Sequence, residues 1–451
     1  MSTPINNLLE KINSKRAAEI FSELYGECEI DAVRRRYESL ITWIQNSTEF
    51  CGDSEKLRVF SAPGRTELIG NHTDHNRGKV LAASIQLDNV AIVQKRYDNT
   101  VFFRSTGFND VKINLTDKDG NPDLQPKPEE KGTTEALIRG IAAELSKRGC
   151  KTGGFSANAD STVLIGSGLS SSAALETLIC RIFDSLYGEG KRSALEIAQI
   201  GQIAENVHFG KPCGLMDQAA CACGGAVAID FADSSRPAVK QINFDPAAAG
   251  YALCVVNTGG SHADLTADYA SIPAEMKSVA AFFGKSVLGE LEKETVLSRA
   301  AEALKSLGDR AFLRAIHFFN ENERVDAMTA ILLEMEKAAI TADKQRALNR
   351  YLDLVNESGD SSWEFLQNVY SPARPKDQGI AVALALTKDF FRKQNLRGAC
   401  RVHGGGFAGT IQAYVPIDAM TAYRAHIEAV FGANSLTVLR IRSRGAVELE
   451  F

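Results

Sequence analysis

The chain of 451 residues predicts an α+β fold with two domains, each large enough for its own core, behind a helical extension. Three observations carry this. Between residues 58 and 115, short β-rich runs are broken by Asn, Asp and Gly, as in a mixed or antiparallel sheet. Apolar residues then recur at helical spacing between 133 and 209. After a polar stretch at 233–237 the pattern begins again, with an apolar strand at 251–257, a long helical region and a second group of strands.

Taken in order, residues 1–55 read as a helical packing extension, in which Leu40, Ile41 and Trp43 alternate with Arg and Glu and no chemistry is visible. Strands are expected at 58–62, 79–85, 89–94, 100–104 and 111–115, with Pro63, Gly64 and Arg65 forming a turn after the first. The acidic, Pro-containing segment 117–131 reads as a solvated loop. Helices follow at 133–147, 171–187 and 193–209, and a strand at 226–231, which completes a first domain spanning 56–244. The second, 245–451, has the strand 251–257, helices from about 273 to 393, and strands near 398–403, 410–415 and 436–441.

Composition narrows the function. With 44% apolar and 24% charged residues and a net charge of −5 spread evenly, neither nucleic acid nor a membrane surface is the expected partner. No basic-then-apolar leader opens the sequence and no apolar run is long enough to span a bilayer, so the expectation is a cytoplasmic protein. Its oligomeric state is not legible, and a monomer is the expectation. Nine scattered cysteines read as reduced thiols, with no disulfide framework.

The most informative segment is residues 163–176, Val-Leu-Ile-Gly-Ser-Gly-Leu-Ser-Ser-Ser-Ala-Ala-Leu-Glu. Gly166 and Gly168 permit positive φ and close approach of an anion. From Ala173 the apolar residues Ala174, Leu175, Leu178, Ile179 and Ile182 keep helical spacing, which leaves first-turn amides near Ser170, Ser171 and Ser172 for phosphate oxygens. A plain N-cap with a flexible approach would look the same. Three further segments join it: 63–76 (Pro-Gly-Arg-Thr-Glu-Leu-Ile-Gly-Asn-His-Thr-Asp-His-Asn), 212–218 (Pro-Cys-Gly-Leu-Met-Asp-Gln) and 402–410, rich in glycine. Two decoys are set aside. Gly284-Lys285-Ser286 resembles the end of a Walker loop, but Val279 stands where that motif needs its first glycine, and His72, Asp74 and His75 fit no zinc spacing.

In this order the four segments resemble the sugar kinases of the GHMP superfamily, and within it the galactokinase family. Residues 64–76 are similar to that family's signature Gly-Arg-Val-Asn-Leu-Ile-Gly-Glu-His-Thr-Asp-Tyr-Asn, 166–174 to its phosphate loop, and 404–409 to its third, glycine-rich motif. The resemblance implies the two-domain GHMP kinase fold: an N-terminal mixed β-sheet with helices, a C-terminal α+β domain, and an active site in the cleft between them. It also implies an ATP- and Mg²⁺-dependent kinase acting on the C1 hydroxyl of galactose. Asp217 is implied as the carboxylate that removes or orients the proton of that hydroxyl, with Arg65 as its partner. Gly166, Ser167, Gly168, Leu169, Ser170, Ser171, Ser172 and Ala173 are implied for ATP, Ser172 and Glu205 for Mg²⁺, and Asn71, His72, Asp74, Glu67, Gly214 and Tyr269 for the sugar. Read from its residue type alone, Asp217 could instead cap its helix, Arg65 could be a surface charge, and Tyr269 could belong to a core.

Two departures from the family pattern are linked. Asn71 stands where the signature carries Glu, and Glu67 where it carries Asn. Either Glu67 restores the lost carboxylate, or the pocket receives a sugar altered at C6, such as galacturonate, which a Glu would repel. Leu164 also replaces a proline often found before the phosphate loop. A third reading is a sensor that binds galactose and ATP without catalysis; such proteins lack the Ser-Ala pair that is present here as Ser172-Ala173.

Overall fold

The computed structural model describes residues 4–50, 56–164, 166–233, 235–260, 265–337 and 341–451. Ile165 of the phosphate loop and residues 1–3 and 51–55 of the expected extension lie outside the described residues. The extension is helical, with α1 (Pro4–Ile12), α2 (Lys15–Tyr25) and α3 (Ile30–Gln45). Next come β1 (Arg58–Ile69), β2 (Lys79–Lys95), β3 (Thr100–Ser105), β4 (Val111–Asn114), α4 (Thr134–Lys147), β5 (Phe155–Ser161), α5 (Ser171–Tyr187), α6 (Ala194–Ile203), α7 (Met216–Cys223), β6 (Ala226–Asp230) and β7 (Ala238–Ile242). The second half runs β8 (Tyr251–Asn257), α8 (Thr266–Phe282), α9 (Lys293–Ser298), α10 (Ala300–Leu307), α11 (Asp309–Lys337), α12 (Thr341–Ser361), α13 (Gly379–Lys393), β9 (Ala399–His403), β10 (Thr410–Pro416), α14 (Met420–Phe431), β11 (Leu436–Leu439) and β12 (Val447–Leu449).

The first sheet has the order β12-β1-β2-β5-β3-β4, with β6 and then β7 added beside β2. It is mixed, because β3 and β5 run parallel while the other pairs are antiparallel. The second is the antiparallel sheet β11-β8-β10-β9. Two expected strands at 79–85 and 89–94 are one long strand, β2, whose first part pairs with β6 and whose last part pairs with β5. The expected turn at Pro63–Arg65 is also corrected: these residues lie inside β1. The register against β2 slips between Pro63 and Arg65 and again between Glu67 and Ile69, so the strand continues through two irregularities. Bulges of this kind re-aim side chains without ending a strand.

β1 is buried along almost its whole length, between the helices α5 and α7 on one side and the second half of the chain on the other. Leu68, Ile69, Leu169 and Ala173 share an apolar cluster with Leu253, Val255, Met328, Leu352 and Tyr414, so the two halves meet through a common core. At the C-terminus, β12 crosses back to pair with β1, Val59 opposite Leu449. The extension is fixed by charge as well as packing. Asp88 on β2 is fully buried and accepts from Arg36 Nη1 at 2.7 Å, Arg442 Nη1 at 2.9 Å and Tyr25 Oη at 2.7 Å, and it also pairs with the Ser61 hydroxyl.

A second buried carboxylate holds the turn that follows β1. Glu321 on α11 accepts the backbone amides of Gly70 (3.0 Å) and Asn71 (3.3 Å), the Ser358 hydroxyl (2.6 Å) and Arg324 Nε (2.7 Å). Burial alone would raise its pKa, but Arg324, His317, Arg401 and the Ser358 bond bring it down to about 2.

Removing Arg442 leaves Asp88 buried with one cation fewer, so Arg442→Met is expected to lower the unfolding free energy by about 3 kcal/mol, measured by chemical denaturation. Because the Glu321 carboxyl is depressed in the fold, its stabilisation is fully present above its unfolded value of about 4.3 and is lost as pH falls toward about 2. Melting temperatures recorded across that window should fall in the wild type, and fall less steeply in Glu321→Gln.

Candidate active site

The cleft is built where three chain segments meet β1. Arg65 and Glu67 lie two residues apart on the strand and point to the same side, while Thr66 points away and bonds His403 Nε2 at 3.0 Å. Strand and phosphate loop approach closely: Arg65 N donates to the Leu169 carbonyl at 3.0 Å, and a Cβ on Gly64 would lie 2.6 Å from that same oxygen. Only glycine fits at position 64. Gly166 and Gly168 both have φ of +71°, and Ser170, at φ +58°, is the N-cap of α5. Its hydroxyl does not cap the helix. It donates to Asp217 Oδ2 at 2.5 Å.

Asp217 lies in the first turn of α7, where the helix dipole favours negative charge. Arg65 donates to its Oδ1 from Nε at 2.9 Å and from Nη2 at 2.7 Å, and the remaining nitrogen, Nη1, bonds the Gly168 carbonyl. The guanidinium thus joins α7 to the phosphate loop. Burial disfavours the charged Asp217 carboxylate, but the Arg65 charge, the Ser170 hydroxyl and the more distant Lys211 outweigh it and hold the pKa below the usual value. The Asp217 side chain remains 34% exposed, so its outer edge faces the cleft, whereas Arg65 is 7% exposed.

A cavity of about 270 Å³ opens in front of this pair, lined among others by Glu67, Asn71, His72, Asp74, Lys211 and Gly214. Gly214 and Asp74 touch: a Cβ on Gly214 would stand 1.9 Å from Asp74 Oδ2. His72, at φ +61°, donates from Nε2 to the Gly405 carbonyl at 3.0 Å, and burial lowers its pKa to about 3. It is therefore neutral at working pH, with Nδ1 left as an acceptor. Tyr269 stands behind this layer, its hydroxyl donating to the Gly406 carbonyl at 3.0 Å and its ring packed at 5.5 Å on Phe407. It supports the glycine loop and does not line the cavity.

The exchanged residues form one buried network. Asn71 Nδ2 donates to Glu67 at 3.2 Å and to the Gly404 carbonyl at 2.8 Å, and its Oδ1 accepts from Asn368 Nδ2 at 2.8 Å. Glu67 also forms an ion pair with Arg401, a guanidinium with no exposure, which bonds the Leu68 carbonyl at 2.8 Å. Burial raises the Glu67 pKa, opposed by Arg401. The carboxylate stands at position 67, where it is matched by a buried cation, while the amide of Asn71 is held on three sides.

Glu205, in a π-helical turn at Ala204–Phe209, lies 2% exposed, with Oε2 accepting from Gln218 Nε2 at 2.9 Å and Oε1 paired with Lys211 Nζ at 3.1 Å. The same Gln218 nitrogen donates to Glu176 Oε2 on α5 at 2.9 Å. Burial first, then the charge of Glu205, push the Glu176 carboxyl well above the usual range. Mg²⁺ takes few protein oxygens and completes its shell with phosphates and water. Glu205 suits that, since a cation already sits on its Oε1; Ser172, in the first turn of α5, supplies a hydroxyl. Among the described residues no group of three His, Cys, Asp or Glu side chains could hold a metal alone.

Sequence reasoning did not single out Lys211, Glu176, Gln218, Asn368 or Arg401. Lys211, Gln218 and Glu176 are in or next to the quoted motifs and carry polar groups that could have been weighed. Arg401 adjoins the glycine-rich segment 402–410, whereas Asn368 reaches the site from a distant segment with no local signal.

A family model described as the galactokinase galactose-binding signature matches residues 47–95, and one described as the GHMP kinases N terminal domain matches 136–225. Galactokinase of Streptomyces coelicolor is 32% identical over 399 residues, which cover 86% of this chain and 92% of that one. Galactokinase of Glaesserella parasuis is 33% identical over 382 residues, covering 83% and 88%. The crystal structure of Lactococcus lactis galactokinase complexed with galactose matches with a TM-score of 0.73 at 25% identity, across 91% of this chain and 100% of that one. Methanococcus jannaschii mevalonate kinase shares the fold at a TM-score of 0.56 and 14% identity, covering 85% and 98%. With these relatives, its two-domain mixed α and β architecture and the cleft just described, the chain belongs to the galactokinases of the GHMP kinase superfamily.

Proposed function

We propose that the protein transfers the γ-phosphoryl group of ATP to the anomeric C1 hydroxyl of galactose. The observation that carries this reading is the cluster of Asp217, Arg65 and Ser170, set between the phosphate loop and a sugar-sized cavity in a chain of the galactokinase family. In the reaction a C1 oxygen–phosphorus bond forms, the bond from that phosphorus to ADP breaks, and the hydroxyl proton leaves. Phosphoryl transfer of this type is loose, so the protein mainly positions the reactants and stabilises charge. Asp217, ionised and open to the cleft, accepts the C1 hydroxyl, orients it and receives its proton late in the transfer. Arg65 keeps that carboxylate charged and fixes the phosphate loop beside it.

The first-turn amides of α5 at Ser171, Ser172 and Ala173 have no helical partners of their own and are assigned to the ATP phosphates, together with Gly166, Ser167, Gly168, Leu169 and Ser170. Glu205 and Ser172 are assigned to Mg²⁺, which when bound offsets phosphate charge. Asp74, packed against Gly214, and His72 are assigned to sugar hydroxyls, and Glu67 with Asn71 to the wall facing C6. A C6 carboxylate is disfavoured at that wall: Glu67 supplies a carboxylate there, and Arg401, the cation beside it, is already paired.

Turnover compared on galactose, galacturonate, N-acetylgalactosamine, arabinose and glucose, with and without Mg²⁺, should be highest on galactose and should need the metal. Preference for galacturonate would overturn the assignment of the C6 wall, and binding of galactose and ATP without turnover would support a sensor. Asp217→Asn should lower kcat by at least about 1,000-fold while galactose affinity stays within about tenfold. Gly214→Ala drives a methyl into Asp74, so galactose affinity measured by calorimetry should fall about tenfold or more, as expected for loss of a charged hydrogen bond.

A further inference from the structure

Lys211 occupies a turn that the chain constructs with some care. The π-helical segment ends at Gly210, at φ +81°, and the amides of Gly210 and Lys211 both donate to the carbonyl of Glu205, at 2.9 Å and 3.1 Å. Pro212 follows and limits the backbone further. The main chain of Lys211 is thereby fixed above the residue whose carboxylate its ammonium reaches.

The resulting ion pair is lopsided. Glu205 is 2% exposed and its other oxygen is held by Gln218, whereas the Lys211 side chain is 61% exposed and carries its charge on a stem of several rotatable bonds. The ammonium is the exposed and replaceable partner of a buried carboxylate that keeps its need for a cation. Lys211 also lines the same cavity as Arg65 and Asp217, and its charge is close enough to act on Asp217. Arg65 is committed by all three of its nitrogens, to Asp217 and to Gly168. Of these two cavity cations, Lys211 alone can turn without breaking the catalytic pair.

We propose that Lys211 is a further catalytic residue: its ammonium neutralises Glu205 when the cleft is empty, gives up that carboxylate to the divalent cation, and then turns to the oxygens of the transferring phosphoryl group. The inference rests on the assignment of Glu205 to Mg²⁺. Two like charges cannot share one carboxylate oxygen at low cost, and the incoming phosphates offer the ammonium a stronger partner at the centre where charge develops.

The test uses the full chain as wild type, Lys211→Met, Lys211→Arg and Glu205→Gln, with Mn²⁺ binding in the absence of nucleotide read by electron paramagnetic resonance, and kcat read with galactose and MgATP. Lys211→Met should bind Mn²⁺ about two- to fivefold more tightly, because the competing cation is gone. Its kcat, read well below the variant's melting temperature, should fall about 100-fold, and Lys211→Arg should recover most of that loss. An unchanged kcat, or an unchanged Mn²⁺ affinity, in Lys211→Met overturns the proposal. Glu205→Gln separates it from its premise: if that variant binds Mn²⁺ as the wild type does, the metal assignment itself has failed, whatever Lys211→Met shows.

Discussion

The site depends on one interaction, the three-way engagement of Arg65. Two of its nitrogens hold Asp217 and the third holds the Gly168 carbonyl, so a single guanidinium sets the distance between helix α7 and the glycine-serine loop before α5. Everything around it serves that placement. The register slips in β1 aim Arg65 and Glu67 into the cleft, Gly64 lets the loop approach, and Ser170 gives its hydroxyl to Asp217 instead of capping its own helix. A charged pair this enclosed is costly to desolvate, and it persists because nearly every polar atom has a partner.

The second constraint is that the cleft lies between halves that share a core. The carbonyls of Gly404, Gly405 and Gly406 bond Asn71, His72 and Tyr269, so the hairpin turn between β9 and β10 supports the sugar signature. Glu321 fixes the same signature from α11 through the Gly70 and Asn71 amides. The exchange of Glu67 and Asn71 is absorbed by this scaffold. Moving a carboxylate to β1 would leave it buried and uncompensated, and Arg401 on β9 answers it.

What the sequence made legible follows the range of each signal. Helices α4 and α5 fall close to the expected positions because helical periodicity and capping are local. The turns before α5 and α7 were equally legible, since their glycines act within a few residues. Strands β5, β7 and β12 were not. Phe155–Ser161 carries Asn, Asp and Ser, and Val447–Leu449 spans three residues, so their strand state comes from their partners β2 and β1. Arg65 was misread as part of a turn because Pro-Gly usually ends a strand, and here the sheet carries both residues through a bulge. Asn368 was illegible for a further reason: it reaches the site from 297 positions beyond Asn71 with no motif beside it, whereas Arg401 adjoins the glycine-rich segment and only its pairing with Glu67 was out of reach.

Arg65 keeps Asp217 ionised, with its outer edge open to the cleft. Carbon-13 NMR titration of the aspartate carboxyls in the ligand-free protein tests it without turnover, with Asp217→Asn assigning the resonance and Arg65→Met removing the partner. The account predicts that Asp217 titrates below the usual aspartate value in the wild type and moves upward in Arg65→Met. An Asp217 resonance that titrates at or above the usual value in the wild type, or one indifferent to the loss of Arg65, would contradict it.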